Sequence, residues 1–376
     1  MHGKVQIDVN ALRENARQLR ELVAPSAIGF AVKSNAYGHG IDETALAIEP
    51  QAACLCVYAV DEAVALRDCG IRQPILVMGP IPPHDLEKAA AAKAAVALWD
   101  TKNYVRDVAA VARRRSVRIP VHVKINTGLN RLGLAPQDAA DAIEDYLRIS
   151  DVQIAGVFSH LASAEELDSP FTLTQLATFE RALAPVQDAL KAQTRAIRHI
   201  AASAAAMLWP QTRLDMVRVG IALYGLWPSP ATREAMGESA LRLTPALSYM
   251  SPLAEVRQLE RGDSVGYGAT FHAPHAMRIG ILPVGYAEGV PRLLSNRGAF
   301  IVRGVRCPIV GRVGMNMTTI DVTAVPRAHP GDAVTLIGTD GDATVTADDW
   351  AEWAETINYE IVTRLPSELP REYVNS

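Results

Sequence analysis

A lysine stands directly behind an apolar run near the start of the chain. The run Ala27–Val32 has the length and apolar continuity of a buried parallel strand, and Lys33 follows it, ahead of a glycine-punctuated polar turn that ends at Gly40. Loss of solvation at a buried strand end lowers the pKa of an amine. Such an amine can form a Schiff base with a carbonyl cofactor, commonly pyridoxal phosphate. The alternative is an ordinary solvated lysine whose stem lies along the surface.

Polar residues also follow later apolar runs. They are Tyr37 after the first run, Lys124–Arg131 at the fifth, His160 after the sixth, Ser203 after the seventh and Arg218–Ile221 at the eighth. The last two places suit a phosphate, because loops after strands seven and eight of a barrel often bind one through amides and hydroxyls. Singly, His160 fits a core histidine and Arg218 a structural ion-pair partner. Their shared place at strand ends favours a functional site.

The elements that would position these residues alternate short apolar runs with alanine-rich helical stretches up to about residue 235. This alternation is typical of an α/β fold, and eight strands favour a (β/α)8 TIM-type barrel, with an open doubly wound sheet as the alternative. The predicted helices include Val60–Asp68, Tyr104–Arg113 and Gln175–Leu190. The predicted strands are Ile28–Lys33, Cys54–Val57, Ile75–Met78, Ala95–Leu98, Val121–Ile125, Ile154–Ser159, His199–Ala202 and Val217–Tyr224.

The pattern changes after the proline- and glycine-bearing stretch 227–237. The later apolar runs are of β type and are joined by turn residues, with one helix that begins at a capping box of Thr346 and Asp349. We therefore predict a barrel domain over residues 1–235 and a mainly β domain over 236–376. The predicted strands of the second domain are Leu253–Leu259, Arg278–Val284, Ala299–Arg306, Met317–Val322 and Ala333–Gly338.

Glycines flank two tyrosines of this second domain. Tyr267 lies between Gly266 and Gly268, and Tyr286 follows Gly285. Such spacing indicates phenols on tight backbone, and the alternative for each is an aromatic ring packed at a strand end with its hydroxyl in water.

Composition narrows the class of protein. The 376 residues are 49% hydrophobic and carry a net charge of −4, which gives no electrostatic argument for nucleic acid binding. The N-terminus has no secretory pattern and no long unbroken apolar run occurs, so neither secretion nor membrane spanning is expected. Cys54, Cys56, Cys69 and Cys307 lack metal-ligand spacing. We expect free thiols in a reducing cytoplasm and no metal site.

With these features, the chain resembles the alanine racemase family, pyridoxal-phosphate enzymes with a (β/α)8 barrel and a C-terminal β domain. The resemblance runs nearly from end to end. The segments that carry it are Ala31–Gly40, Lys124–Gly133, His160, His199–Ser203, Arg218–Ile221, Val265–Phe271, Gly285–Ala287, Gly311–Met317 and Ile357–Glu360.

The resemblance implies a two-base racemisation of L- and D-alanine. Lys33 would be the Schiff-base lysine and would move the α-proton on one face of the substrate, and Tyr267 would act on the opposite face. In the family this tyrosine reaches the site of the partner subunit, which implies a head-to-tail homodimer. Arg218 would contact the pyridine nitrogen and, with His160, would tune Tyr267.

The resemblance also implies the binding residues. The cofactor phosphate would be held by Tyr37, Ser203, Gly220, Ile221 and Tyr359, and the substrate by Arg131, Met315 and Tyr286. Lys124 matches a position that is carbamylated in some members.

Four residues depart from the family pattern. Ala202 stands where Asn is common, Asn126 and Asn316 where Asp is common, and Gly314 where Ser or Cys is usual. Each change removes a charge or shrinks a side chain near the predicted site, which bears on cofactor affinity and substrate choice.

Three other functions stay open. A serine or broad-specificity amino-acid racemase would share the mechanism, and a basic-amino-acid decarboxylase would share the fold but place a carboxylate, rather than Arg218, at the ring nitrogen. A non-catalytic pyridoxal-phosphate carrier would lack the β domain. The sequence also leaves open whether the reaction supplies D-alanine for peptidoglycan precursors or breaks alanine down.

Overall fold

Eight parallel strands and the helices between them form the larger unit of the protein. The computed structural model describes residues 3–100, 103–237 and 241–375. The strands follow one another around a single sheet in chain order, and the first pairs in parallel with the eighth. In order, the barrel strands are Ala27–Ala31, Cys54–Val57, Ile75–Val77, Ala95–Leu98, Ile119–Lys124, Val152–Phe158, Ile197–His199 and Met216–Val219.

Backbone hydrogen bonds also join the seventh strand to the eighth. Asp215 N donates to Arg198 O at 3.1 Å, and Arg218 N donates to Ala201 O at 2.9 Å. The sheet therefore curls into a nearly closed barrel, as the alternating pattern predicts, and the open doubly wound alternative is wrong.

Helices connect the barrel strands. The predicted single helix over 175–190 is wrong: the structure has two helices, separated at Ala184–Val186, where Pro185 has no N–H to donate to the preceding turn. The helices of this part of the chain are Val9–Val23, Ile41–Ile48, Val60–Asp68, Leu86–Ala91, Tyr104–Arg115, Ala139–Leu147, Phe171–Leu183, Gln187–Gln193, Ser203–Leu208 and Pro230–Met236.

A mainly β unit follows, with three sheets. The largest has the strand order Val305–Pro308, Ala299–Val302, Ala333–Asp340, Leu247–Pro252, Lys4–Asp8 and Arg371–Val374, with Ala343–Val345 added on Ala333–Asp340. A second contains Glu255–Leu259, Met277–Leu282 and Thr318–Asp321, and a third pairs Ser264–Val265 with Phe271–His272. The rings of Tyr249, Phe300 and Trp350 are buried together in its core.

Two local predictions for the β unit have different outcomes. The capping box is confirmed, because Thr346 Oγ1 accepts from Asp349 N at 2.9 Å and the Asp349 carboxylate accepts from Thr346 N at 2.7 Å. It begins the helix Ala347–Trp353, which Asn358–Thr363 follows. The single strand predicted over 299–306 is instead a hairpin, since Arg303 and Gly304 both adopt positive φ and form a two-residue turn.

The chain forms two compact units, and each unit is built from segments that are separated in the sequence. The barrel unit comprises Leu12–Ala36 and Ile41–Thr244, and the β unit comprises the chain up to Ala11, Tyr37–Gly40 and the chain from Pro245. The strand Lys4–Asp8 groups with the β unit because it pairs with Leu247–Pro252 and Arg371–Val374. The domain boundary near residue 235 stays a prediction. That prediction placed the chain up to Ala11 and the segment Tyr37–Gly40 in the barrel domain, whereas both group with the β unit.

The cysteines are free, as expected, and three of the four are buried. Among the residues with described positions, no cluster of His, Cys, Asp or Glu could bind a metal ion. None of the helices in the described ranges combines the length and the apolar character needed to cross a bilayer.

Candidate active site

Lys33 begins a turn of unusual backbone conformation. The four residues after it, Ser34, Asn35, Ala36 and Tyr37, all have φ between 51° and 55°. This left-handed region costs roughly 1–2 kcal/mol for each non-glycine residue. Consecutive residues persist there only where surrounding contacts fix them, which is common at functional sites.

Side-chain oxygens supply the contacts that fix this turn. The Glu62 carboxylate accepts from Ser34 N at 2.5 Å and from Tyr58 N at 2.9 Å. Asn35 Oδ1 accepts from Ile41 N at 3.0 Å. Both ends of the turn are thus tied to neighbouring backbone, and Lys33 is held at the carboxyl end of the first barrel strand.

Four cationic side chains lie at or just after the carboxyl ends of barrel strands, namely Lys33, Lys124, Arg131 and Arg218. Burial lowers the pKa of Lys33, and the charge of Arg131 lowers it further. Burial, together with Arg131, Arg218 and Lys33, lowers the pKa of Lys124 to about 8. Within the described ranges, none of the four forms an ion pair with a carboxylate. The Glu62 carboxylate opposes the lowering of the Lys33 pKa without pairing with the amine. A cluster of positive charges without paired carboxylates is a site for an anionic ligand.

Arg218 is the most buried of the four and is 4% exposed. Its guanidinium donates to His199 Nδ1 at 2.6 Å, to His199 O at 3.0 Å and to Ser159 O at 2.7 Å. It also stacks over the Phe158 ring, 5.3 Å from the centroid. Neutral acceptors and an aromatic face therefore hold this charge. Arg218 forms no ion pair with a carboxylate in the described ranges, so the alternative that it is a structural ion-pair partner is wrong.

A pair of buried histidines extends the Arg218 contact. Arg218 only donates, so His199 Nδ1 accepts and the His199 proton lies on Nε2. That nitrogen lies 2.8 Å from His122 Nδ1, which must therefore accept. Burial lowers the pKa of His122 to about 3 and that of His199 well below its usual range, so both rings are neutral. The chain orients Arg218 without adding charge.

Sequence reasoning assigned no role to His122 or His199. The available signal is the alternation within the fifth barrel strand, since residues 122 and 124 lie on one face. His122, two positions before Lys124 on that strand, therefore points to the same side of the strand as Lys124.

The ring of His122 occupies space that Gly156 leaves open. A Cβ at Gly156 would lie 2.4 Å from His122 Nδ1. We expect Gly156→Ala to lower the free energy of unfolding by about 1–3 kcal/mol, because the ring must move in a packed interior. Urea unfolding measures this. Gly29→Ala in the first strand is the matched control, with its nearest atoms at 3.4 Å, and equal losses in both variants would contradict the explanation.

His160 lies beside Arg218 and is half-buried. Its Nδ1 is 3.4 Å from Arg218 Nη2, a long contact, and its carbonyl accepts from Gln175 Nε2 at 3.2 Å. Burial and the charge of Arg218 lower the pKa of His160 to about 3, so the ring is neutral. The structure thus brings His160 and Arg218 together, as predicted.

Ser203 and Gly220 meet where the loops after the seventh and eighth strands approach each other. Gly220 N donates to Ser203 Oγ at 3.0 Å, and Ile221 follows at the start of a short 3₁₀ turn. In this structure the Gly220 amide therefore points to the serine hydroxyl.

Arg131 lies on an exposed loop after the fifth strand. The loop is closed by Asn126, whose Oδ1 accepts from Gly128 N at 3.2 Å and Asn130 N at 3.0 Å. Asn126 Nδ2 also donates to Asn130 Oδ1 at 3.0 Å. An aspartate could accept the same amides but could not make that donation.

In the β unit, the tyrosines predicted to hold the phosphate lie near each other. The ring centroids of Tyr37 and Tyr359 are 6.3 Å apart. Glycine is required just after Tyr37, because a Cβ at Gly38, where φ is +85°, would lie 2.0 Å from Val362 O. Arg371 Nε also donates to Gly38 O at 2.8 Å.

The other predicted residues of the β unit are exposed. Tyr267 lies in the turn of the two-stranded hairpin and is 75% exposed, and Met315 and Tyr286 are 57% and 45% exposed. A Cβ at Gly314 would lie 3.8 Å from Tyr267 Cε2. These side chains form a group within the β unit that is open to solvent.

The donor set fits pyridoxal phosphate. Such a group needs an amine of lowered pKa for its carbonyl carbon, and cations and hydroxyls for its anionic oxygens. Lys33 is the amine, the charges of Lys124, Arg131 and Arg218 lack carboxylate partners in the described ranges, and Ser203 offers a hydroxyl.

Family models and relatives agree along almost the whole chain. The family model described as alanine racemase, N-terminal domain, matches residues 7–228, and the one described as alanine racemase, C-terminal domain, matches residues 246–373. The alanine racemase of Symbiobacterium thermophilum is 39% identical over 369 residues, which cover 98% of this chain and 96% of that protein.

Solved structures agree as well. Alanine racemase from D-cycloserine producing Streptomyces lavendulae has a TM-score of 0.93 and 34% identity, and covers 100% of this chain and 98% of its own. Alanine racemase from Bartonella henselae, solved with covalently bound pyridoxal phosphate, has a TM-score of 0.86 and 27% identity over the full length of both chains. With both family models matched in order and the relatives aligned over nearly the full length, this chain belongs to the alanine racemase family of isomerases.

Proposed function

We propose that this protein interconverts L-alanine and D-alanine with pyridoxal phosphate bound covalently to Lys33. The observation that carries the proposal is the position of Lys33, held by a left-handed turn at a barrel strand end, with a lowered pKa and three further cations nearby. A neutral amine is the form that attacks a carbonyl carbon.

We assign the cofactor phosphate to Ser203, to the Gly220 and Ile221 amides, and to the hydroxyls of Tyr37 and Tyr359. The bond from Gly220 N to Ser203 Oγ supports the assignment of Ser203, because it leaves the serine hydrogen to be donated to the phosphate. For the Gly220 amide to bind the phosphate as well, it would have to exchange its bond to Ser203 for one to a phosphate oxygen. When bound, pyridoxal phosphate supplies an electron sink for the negative charge at the substrate α-carbon.

Two bases on opposite faces account for racemisation. We assign Lys33 Nζ to one face of the α-carbon and the Tyr267 hydroxyl to the other. One base removes the α-proton while the other returns a proton from the opposite side, so the configuration inverts and no proton is gained or lost overall. The reverse reaction exchanges the two roles.

We assign Arg218 to the ring nitrogen of the cofactor. A guanidinium donates but cannot accept a proton, so it leaves that nitrogen unprotonated and disfavours side reactions such as transamination. The buried His122–His199 chain supports this assignment, because it fixes the guanidinium with neutral groups. We propose that His160 and Arg218 together form a hydrogen-bonded chain that tunes Tyr267.

We propose that Arg131 and the Met315 amide bind the substrate carboxylate. We propose that Tyr286 lines the entrance through which the substrate reaches the site. Lys124 is a candidate for carbamylation, since its lowered pKa favours the neutral amine that adds carbon dioxide. The resulting carbamate would carry a negative charge and could brace Arg131.

We propose a head-to-tail homodimer in which Tyr267 serves the partner's barrel. The support is the exposure of Tyr267 at a hairpin turn, together with the exposed Met315 and Met317 in the same unit. The four free cysteines support placement in the reducing cytoplasm.

Chiral analysis of the product tests the proposed function. Purified protein with added pyridoxal phosphate should convert L-alanine to D-alanine, and D-alanine to L-alanine, until the two are equal. Serine and lysine serve as parallel substrates, because Gly314 places no side chain beside the Tyr267 ring. Protein with bound cofactor that forms no D-alanine would refute the proposal, and faster turnover of serine would favour the broad-specificity alternative.

A further inference from the structure

Two loops of the β unit carry the residues that we assign to the substrate. Tyr286 lies in loop 285–289 and Met315 in loop 314–317, and both side chains are exposed. Tyr286 N donates to Gly314 O at 3.0 Å, and Ala287 N donates to Met315 O at 2.9 Å. The two loops therefore pack backbone against backbone.

This close approach depends on a glycine. A Cβ at Gly285 would lie 2.2 Å from Gly314 O and 2.5 Å from Met315 O. Neither distance is tolerable against backbone, so residue 285 must lack a side chain for the loops to meet as they do.

One carboxylate spans both loops. Glu288 Oε2 accepts from Gly285 N at 2.8 Å, within its own loop, and Glu288 Oε1 accepts from Asn316 Nδ2 at 2.7 Å, across to the other loop. Asn316 directly follows Met315. A carboxylate only accepts, so the asparagine amide must present its NH₂ group to it.

We propose that Glu288 and Asn316 are positioning residues that set the affinity for the amino-acid substrate by holding Met315 and Tyr286 in place. The inference rests on the proposed function, since it takes the substrate roles of Met315 and Tyr286 from there. In this chain the asparagine at position 316, where the family commonly has aspartate, donates a hydrogen bond to Glu288 that an aspartate could not donate. With Glu288 opposite, an aspartate would place two carboxylates 2.7 Å apart in place of a hydrogen bond.

A charge-exchange experiment tests the proposal. Asn316→Asp should raise the KM for alanine by about tenfold, the effect expected from loss of a hydrogen bond to a charged group, with kcat changed less than about threefold because Lys33 and Tyr267 are unaltered. The double variant Asn316→Asp/Glu288→Gln should restore KM to within about threefold of the parent protein. In it, the glutamine oxygen accepts from Gly285 N and its NH₂ group donates to the new carboxylate.

Glu288→Gln alone is the matched control. Its amide can still accept from Gly285 N and can donate to the Asn316 oxygen after that amide turns over, so its KM should change less than that of Asn316→Asp. An unchanged KM in Asn316→Asp would overturn the proposal. A KM in the double variant as high as in that single variant would also overturn it.

Thermal unfolding of the purified full-length variants separates this proposal from the proposed function. Asn316→Asp should lower Tm by about 3 °C and the double variant should recover it. If the parent protein does not racemise alanine, the proposed function fails and the assignment to substrate affinity fails with it. The Tm pattern then shows whether the contact between Glu288 and Asn316 itself exists.

Discussion

Lys33→Ala should abolish racemisation and covalent cofactor binding together. Removing the amine removes both the attachment point and one of the two proposed bases, so we expect kcat to fall by at least about 10³-fold. The visible absorbance of lysine-bound cofactor should be absent even with pyridoxal phosphate in excess. Chiral analysis of alanine and an absorbance spectrum of the dialysed protein measure the two losses.

Two variants control for simple loss of a lysine. Lys191→Ala removes an exposed lysine on the helix Gln187–Gln193 and should leave both readouts unchanged. Lys33→Arg keeps the positive charge but presents a guanidinium that stays protonated, so it should fail like the alanine variant. Retained lysine-bound absorbance in Lys33→Ala would assign the cofactor to a different lysine.

Tyr267→Phe should separate the two faces of the reaction. The ring stays and only the hydroxyl is lost, so cofactor binding should persist while racemisation falls by about 10²–10⁴-fold, the usual contribution of a positioned acid or base. The remaining base, Lys33, can still move a proton on its own face. One alanine enantiomer should therefore exchange its α-hydrogen with solvent without inverting.

Deuterium exchange shows this asymmetry directly. L-alanine and D-alanine are incubated separately with the variant in D₂O, and NMR follows the loss of the α-hydrogen signal beside chiral analysis. The parent protein should exchange and invert both enantiomers. Equal exchange of both by Tyr267→Phe, or full racemisation, would contradict the assignment of Tyr267 as the second base.

The barrel could be predicted from the sequence because buried parallel strands are short, apolar and regularly spaced. The predicted runs coincide with the eight observed strands to within a few residues at most ends, and the ends bring Lys33, Lys124, His160 and Arg218 into one unit. The strand Lys4–Asp8 was missed, because its partners lie at least 240 residues later in the chain, as the pair Ile7 and Leu247 shows. Only the folded protein shows that pairing.

Local geometry at the site was less predictable. The residues 34–37 include alanine and tyrosine, which have no preference for positive φ, and the left-handed turn depends on the distant Glu62 carboxylate. The orientation of Arg218 likewise depends on His122 and His199, which belong to different strands. Asn316 stood out in the sequence as a departure, but its contact with Glu288 exists only where two loops meet.

Borohydride reduction followed by peptide mass analysis tests the central claim most directly. Protein loaded with pyridoxal phosphate should lose its visible absorbance on reduction, and one peptide should gain the mass of the reduced cofactor, with the modification on Lys33. Modification of another lysine, or of none, would contradict the claim that Lys33 carries the cofactor.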